Sequence, residues 1–455
     1  MTDGLRGAIM DGRLACGARL PATRLLARDL GISRGVIVDA YQRLLDEGLV
    51  SAHTGVGTVV TYRGRRPAPI TDRRAAAGDR TAGPDTLRLP LPTPPGIDLD
   101  LSPGVPDLSA FPRTAWLRAE RAVLGRAGGG DLGYGDPGGA PGLRRELGAW
   151  LARTRGVRAA ADDVIVVGGV AQALALLAQT LRAAGAGTVA VEDPGSRGAR
   201  DQLGHWGMRV AGVAVDDQGV RVSDLAAAGG TTVLLTPAHQ FPTGVVLSPA
   251  RRVALLDWAA SADGLVIEDD YDAEHRYDRA PVAALQASAP DHVAYTGSTS
   301  KSLAPGMRLG WLIAPRRLRP ALLAAKHASD LGNSALPQLV LAHLLATGEY
   351  ERHLRTVRAR QRRRRDALLA GLREHLPPAR VEGVAAGLHL LITLPGADDD
   401  DTVLAERIAR TGVRVQPLSW HRHRPGVPGL ILGYAAHPPD RLAEAAARIG
   451  RALSG

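Results

Sequence analysis

The order of apolar and polar positions divides the chain into three stretches. Over residues 5–46 apolar side chains recur every three or four positions, the period of a helix face. Residues 5–12 read as a first helix, and Gly17 and Pro21 mark the turn after it. Residues 23–30 (TRLLARDL) read as a short second helix with Thr23 at its cap, ended by Gly31. Ser33 then caps a longer helix, SRGVIVDAYQRLLDEG, with Val36, Ala40 and Leu44 on one face. The segment LVSAHTGVGTVVTYR reads as a hairpin with Gly55 and Gly57 at its tip. Residues 64–97 hold seven prolines, four glycines and no sustained period. They form a linker that reaches about 30 Å if flexible. From Asp98 onward six β-type runs alternate with helical ones: VIVVGG, TVAVEDP, TTVLLTP, GLVIEDD, HVAYTGS and LGWLIAP. That alternation predicts an α/β fold with a mostly parallel sheet and helices on both faces. A long helical stretch over 337–375, then VEGVAAGLHLLITL and GLILGYAA, predicts a smaller C-terminal α+β subdomain. The expected domains are 1–63, a linker at 64–97, and 98–455.

Two helices joined by a glycine turn and followed by a hairpin are the pattern of a winged helix-turn-helix. In such a module the second helix sets its first residues against base edges in the major groove. Ser33 and Arg34 stand there, and Arg34 can read guanine or clamp a phosphate. Arg24, Arg28 and His53 are candidate phosphate contacts. A small helical cap on an enzyme is the plainer reading of the same pattern.

The chain has 455 residues, 45% hydrophobic and 22% charged, which excludes wholesale disorder. No apolar run approaches the ~18 residues of a membrane helix, and charges interrupt the N-terminus where a signal peptide needs its apolar core. A cytoplasmic protein with no membrane partner is expected. Cys16 is the sole cysteine, so an intrachain disulfide and a cysteine metal cluster are both excluded. The net charge of +10 is carried almost wholly by arginine: of 56 lysines plus arginines, only Lys301 and Lys326 are lysine. A compositional bias toward arginine accounts for this, and a basic balance permits nucleic-acid binding without establishing it. It also makes the two lysines informative, because only lysine supplies a primary amine for Schiff-base chemistry.

Lys301 lies in GSTSKSLAPGMRLGW, just after a strand-like run. A lysine among small hydroxyl residues, with an arginine seven positions on, suits pyridoxal 5'-phosphate. The amine forms an imine with the aldehyde, Ser298 and Ser300 donate to phosphate oxygens, and Arg308 offers a planar fork. A surface lysine is the alternative. In GLVIEDDYDAEHRY, Asp269 ends a buried strand where an acid can pair with a pyridinium nitrogen, and Tyr271 can bond the ring's 3-oxygen. The alternative there is a metal site from Glu268, Asp269, Asp270 and Asp272. In VIVVGGVAQALALL a strand ends at Gly168 and Gly169 and a helix begins at Val170, so bare N–H groups make an anion site. An ordinary strand-to-helix turn has the same pattern.

These motifs follow one another in order: YGDPGGAPGLR, GGVAQAL, VEDPGSRGARDQL, LLTPAHQFPTGVVLS, IEDDYDAEHRY and GSTSKSLAPGMRLG. The series resembles the fold-type I aminotransferase domain of the MocR subgroup of GntR regulators. The stretch from GRLACGARL to GVGTVV resembles the winged helix-turn-helix of the GntR family nearly end to end. The resemblance covers roughly residues 5–62 and 98–450. It implies a homodimeric regulator that binds a double-stranded DNA operator and responds to a small-molecule effector, pyridoxal 5'-phosphate or an amine. It implies Lys301 as the Schiff-base lysine, Asp269 on the pyridine nitrogen and Tyr271 near the 3-oxygen. Ser298, Arg308 and the Gly168, Gly169, Val170 turn would hold the phosphate, and Tyr134 would reach it from the other subunit.

The departures matter as much. The family's first helix usually begins several residues before Leu5, so either Met1 is a late start or that helix is short. Ser196 stands where the family usually has an aromatic residue that stacks on the pyridine ring. Phe241 stands where aminotransferases place an asparagine, and Ile431 where they carry the arginine that grips the substrate carboxylate. Amino-acid turnover is therefore doubtful unless Arg414, Arg422 or Arg424 substitutes, and no catalytic residue is assigned. The arginine run over 352–365 reads as a solvated helix face. His421, His423 and His437 read as flexible loop histidines with no metal. Two functions follow: a regulator sensing the cofactor or its amine adduct, serving vitamin B6 or amine metabolism, or an aminotransferase with an accessory N-terminal module.

Overall fold

The structure, a computed structural model, describes residues 1–53, 55, 57–62, 95–277, 282–377, 379–383, 386–394 and 400–453. The chain divides into two units, Met1–Ala82 and Gly83–Gly455. The expected linker lies, up to residue 94, outside the described residues.

The first unit contains helices α1 (Thr2–Met10), α2 (Thr23–Asp29) and α3 (Arg34–Asp46). An antiparallel hairpin follows, β1 (Val50–His53) and β2 (Gly57–Val60), with Val50 opposite Val60. Helix α1 begins three residues before the expected start. Thr23 is the first residue of α2 rather than its cap, which is Ala22, and Ser33 does stand at the cap of α3 although its hydroxyl makes no capping bond. The buried stripe of α3 is Ile37, Ala40, Tyr41 and Leu44, whereas Val36 is 48% exposed. The expected stripe was therefore one position out at its start. Ile37, Tyr41 and Leu44 pack with Ile9, Leu20, Ala27, Val50 and Val60 into one core, and the Tyr41 hydroxyl donates to the Pro21 carbonyl at 2.8 Å.

The second unit opens with β3 (Leu99–Asp100), α4 (Arg113–Leu124) and α5 (Pro141–Arg155). Its sheet is built from β4 (Val164–Val167), β5 (Thr188–Asp193), β6 (Arg209–Asp216), β7 (Gly219–Val220), β8 (Thr232–Leu235), β9 (Leu265–Asp270), β10 (Val293–Ser298) and β11 (Gly310–Ile313). The spatial order is β4-β11-β10-β9-β8-β5-β6-β7. Strands β5, β6, β8, β9 and β10 pair in parallel, while β11 runs antiparallel to both neighbours and β7 to β6. All six expected strands are present. The inner ones are buried on both faces, as their unbroken apolar runs require. In β4, Val164 and Val166 enter the core under α4, α5 and α10 (Ala335–Ala346). Ile165 and Val167 enter the one under α6 (Val170–Ala183), α7 (Arg197–His205) and α9 (Arg319–Asp330). Helix α8 (Pro249–Ser261) covers β8 and β9 through Leu255 and Ala259.

The helix expected over 337–375 is two helices, α10 and α11 (Glu349–His375). Gly348 parts them in a left-handed conformation (φ 69°) that continues no helix. The subdomain is α+β as expected. Its sheet, in spatial order, is β12 (Arg380–Glu382), β13 (His389–Thr393), β16 (Gly429–Gly433) and β15 (Gln416–Pro417). This sheet packs with α11, α12 (Asp401–Ala409) and α13 (Pro439–Leu453). Strand β14 (Val413–Arg414) pairs in parallel with β3. The arginine run of α11 is only partly solvated: Arg360 and the buried Arg364 both reach Asp107 at 2.8 Å, and Arg365 lies 4.7 Å over the Tyr277 ring. Among the described residues no helix is long and apolar enough to cross a membrane.

Candidate functional site

A cavity of about 370 Å³ opens beyond the C-terminal ends of β4, β9 and β10. Open α/β sheets bind their ligands there, and sites for small molecules have comparable volumes. Lys301, just past β10, lines it and donates from Nζ to the Gly104 carbonyl at 2.5 Å. Gly104 has φ +84°, and a Cβ on it would come within 3.1 Å of Nζ. Burial pulls the Lys301 pKa down, against the nearby charges of Asp269 and Asp272. That moves the amine toward the neutral, nucleophilic form.

The acidic run at the end of β9 is sorted by strand alternation. Glu268 accepts the N–H groups of Leu285 (3.1 Å) and Gln286 (3.2 Å). Asp270 accepts from Arg155 Nε (2.6 Å) and the Tyr295 hydroxyl (2.5 Å). Asp269, between them in sequence, lines the cavity instead, and its Oδ1 is buried without a hydrogen-bond partner. Burial, with the charges of Asp270 and Asp272, pushes its carboxyl up to about 7. The four acids therefore do not converge on one point. Tyr271 also lines the cavity, its hydroxyl 3.0 Å from His239 Nδ1, which in turn lies 2.9 Å from Asp272 Oδ2. Burial and Asp272 hold the Tyr271 phenol well above its usual pKa.

The other end of the cavity is built for an anion. Gly169 caps α6 with φ +100°, and no side chain caps the first turn, which starts at Val170. The Arg308 guanidinium lies over this turn, so close that a Cβ on Gly169 would meet Nη1 at 3.2 Å. Among the described residues no carboxylate pairs with Arg308. Ser298 and Ser300 complete this side, with Ser298 Oγ accepting the Ser300 N–H at 3.3 Å. Gly168 precedes the turn, its N–H bonded to Gln172 Oε1 at 2.6 Å. Tyr134 is 83% exposed and lies outside its own chain's cavity.

The remaining wall is uncharged. Ile431 is fully buried and packs with Leu391, Leu418 and Phe241. Arg414 faces Asp100 at 3.5 Å, while Arg422 and Arg424 line a separate depression beside Asp400, so none takes the place of Ile431. Ser196 lines the cavity and caps α7, accepting the Ala199 N–H at 3.3 Å. His421 is not a flexible loop residue. It is buried, its Nε2 lies 3.1 Å from Gln416 Oε1, and its carbonyl accepts the Gly195 N–H at 2.8 Å. Burial pushes its pKa down to about 4, and that of His389 to about 3, so both rings are neutral at pH 7. His423 donates its N–H to Asp193 (2.9 Å) and the His437 ring meets the Asp100 carbonyl (3.0 Å), so these two are also tied down. Sequence reasoning missed Gly104, Gln416, His389 and His421, which no local motif marks.

The residues present fit pyridoxal 5'-phosphate. A cavity lysine, an acceptor without a partner, and an unpaired arginine over a helix start correspond to its aldehyde, its ring nitrogen and its phosphate. In the first unit, Arg24, Arg28, Ser33, Arg34 and His53 are all exposed. Arg34 opens α3 directly after its cap Ser33. Among the described residues neither Arg24 nor Arg34 has a carboxylate partner. Arg28 lies 3.9 Å from Asp29, and His53 Nε2 lies 3.1 Å from Ser51 Oγ.

A winged helix-turn-helix and an aminotransferase-like unit on one chain define a transcription regulator built partly on an enzyme fold. Residues 2–60 match the bacterial regulatory proteins of the gntR family, and residues 97–449 match aminotransferase class I and II. The chain is 31% identical to the probable rhizopine catabolism regulatory protein MocR of Rhizobium meliloti, over 97% of this chain and 90% of that one. It is 30% identical to the HTH-type pyridoxine biosynthesis transcriptional regulator PdxR of Corynebacterium glutamicum, over 100% and 95%. Among solved structures it resembles the kynurenine aminotransferase of Pyrococcus horikoshii in complex with PMP. The TM-score is 0.72 at 26% identity, covering 79% of this chain and 91% of that one. The chain belongs to the MocR subgroup of GntR-family HTH-type transcriptional regulators, and DNA is its partner.

Proposed function

We propose that this chain acts in the cytoplasm as a homodimeric regulator whose effector is pyridoxal 5'-phosphate itself, and that its target genes serve vitamin B6 supply. The observation that carries the reading is the asymmetry of the cavity. Lys301, Asp269 and Arg308 stand ready for the cofactor, while the wall where a substrate carboxylate would need a cation is lined by Phe241, Leu388 and the neutral His389 and His421, with Ile431, Leu391 and Leu418 packed behind Phe241. Bound to a lysine, the cofactor supplies an electron sink. Of this chain's residues, Lys301 holds the aldehyde and Asp269 keeps the ring nitrogen protonated. Tyr271 bonds the 3-oxygen. Ser298, Ser300, Arg308 and the Gly168, Gly169, Val170 turn hold the phosphate. Tyr134 adds a contact from the second subunit. In the first unit Arg34 and Ser33 reach base edges, and Arg24, Arg28 and His53 reach phosphates. Residues 64–97 link the two domains.

Ser196 offers no stacking surface, which weakens cofactor affinity, and a sensor needs an occupancy that varies with concentration. Similarity to a regulator named for pyridoxine biosynthesis supports the same reading. The test is operator binding by cofactor-free protein, titrated with pyridoxal 5'-phosphate and separately with amino acids and amines. The cofactor alone should shift DNA affinity severalfold. A shift produced only by a particular amine would overturn the effector assignment. Sustained transamination at ordinary enzyme rates, about 1–10³ s⁻¹, would overturn the regulator as main function in favour of the aminotransferase.

A further inference from the structure

The second lysine, Lys326, has no part in the site described so far. It is fully buried on α9. Its ammonium has three donors, and it meets three acceptors: Asp330 Oδ2 (2.9 Å), Asp330 Oδ1 (3.1 Å) and Asn333 Oδ1 (2.7 Å). Asp330 Oδ2 also accepts from Gln172 Nε2 at 2.6 Å, and Gln172 Oε1 accepts the Gly168 N–H at 2.6 Å. A chain of direct contacts therefore runs from the buried ammonium to the turn that opens α6. Asp330 Oδ1 further accepts the Gly332 N–H at 2.9 Å. Gly332, at φ +118°, lies against the backbone of Tyr134, Asp136 and Pro137.

Two consecutive glycines make a loose turn, because glycine loses more conformational freedom on ordering than any other residue. The turn serves as an anion site only if the N–H groups of Val170 and Ala171 keep one direction. The amide of Gly168 opens the glycine pair that leads into them, and Gln172 fixes it. Gln172 is fixed in turn by a carboxylate, and that carboxylate by a buried cation whose three protons are all spent on this segment. Charge-assisted hydrogen bonds of this kind are stronger than neutral ones.

We propose that Lys326, Asp330 and Gln172 are positioning residues for the phosphate-binding turn, a relay that sets the direction of the α6 N-terminus without touching the cofactor. The proposal rests on the reading of that turn as the phosphate site. The same segment braces the loop that carries Tyr134, so one element orders both this subunit's cradle and the residue offered to the other subunit.

The test compares pyridoxal 5'-phosphate with pyridoxal, which lacks the phosphate, by absorbance titration of cofactor-free full-length protein. Wild type should bind the phosphorylated form far more tightly. Gln172→Leu and Lys326→Met should weaken the phosphorylated form roughly tenfold or more, the scale of one lost charge-assisted hydrogen bond. Pyridoxal affinity should not change. Gln172 is part-exposed, so that variant carries the test if Lys326→Met does not fold. If wild type fails to discriminate between the two ligands, the phosphate assignment of the turn falls. If wild type discriminates and the variants keep its ratio, whether both affinities hold or both fall together, the relay is merely structural and the proposal is overturned.

Discussion

Asp269 offers a measurable conflict between stability and function. Its carboxyl is held at about 7 in the fold, against an ordinary 3.8. At about 1.36 kcal/mol per factor of ten in the proton equilibrium, ionising it in the empty cavity costs on the order of 4 kcal/mol. The cavity is open to water, which reduces the figure to about 2–3 kcal/mol. Because the pKa is higher in the folded state than in the unfolded one, the cost is absent below about pH 4. It grows as the pH rises and is complete above about pH 7. Asp269→Asn removes the charge while keeping the shape. The cofactor-free variant should therefore be more stable than wild type by about 2–3 kcal/mol at pH 8, with a smaller gain at pH 5. Urea unfolding followed by tryptophan fluorescence at the two pH values measures this. Glu268, also pushed up to about 7 by burial, cancels in the difference between the two proteins. Cofactor at 100 times the wild-type Kd should close most of this gap, since only the carboxylate gains a charged partner and binding then adds about 2.7 kcal/mol to wild type. An asparagine variant no more stable than wild type at pH 8, or one whose gain is larger at pH 5, would refute the reasoning.

Lys301→Ala should abolish the visible absorbance band of lysine-bound cofactor, whereas Lys326→Ala should retain it at saturating cofactor; the reverse result would reassign the Schiff-base lysine. Arg34→Ala should weaken operator binding by about 1–3 kcal/mol in a mobility-shift assay at fixed salt, with the cofactor band unchanged, if it makes a bidentate base contact. Wild-type affinity would remove Arg34 from the readout. Tyr134→Ala and Lys301→Ala subunits should each bind cofactor poorly alone, yet an equal mixture should recover one tight site per mixed dimer, about one per four chains after random reassortment. No recovery on mixing would contradict a site shared across a dimer.

How much was readable in the sequence depended on whether the information was local. Lys301, Asp269 and Arg308 sit at strand ends inside compact motifs, and a strand end fixes where its next side chain goes. The six sheet strands were legible because continuous Val, Ile and Leu runs mark strands buried on both faces. Strand β6 was not, because Gly212 and its half-buried residues break that signal. Gly348 parted two helices without a proline to announce it. Ile37 and Val36 are both apolar neighbours, so the period alone could not say which faced the core. His421 was misread because Gly195, whose N–H its carbonyl accepts, lies in a distant part of the chain, and the nearby Gln416 belongs to no motif that announces the contact. The tie between Lys326 and Gly168 spans two helices and has no sequence signature.

The scarcity of lysine has a practical consequence for chemistry on the intact protein. Aldehydes and activated esters modify proteins chiefly through surface lysines, which usually blurs any titration with a carbonyl compound. Here one ε-amine is sealed inside α9 with all three protons engaged, and the other lines the cavity. Apart from the chain's amino terminus, an amine-seeking reagent small enough to enter finds a single address. A fluorophore, an affinity handle or a reductively trapped aldehyde placed there would report on that cavity with almost no background from the rest of the surface.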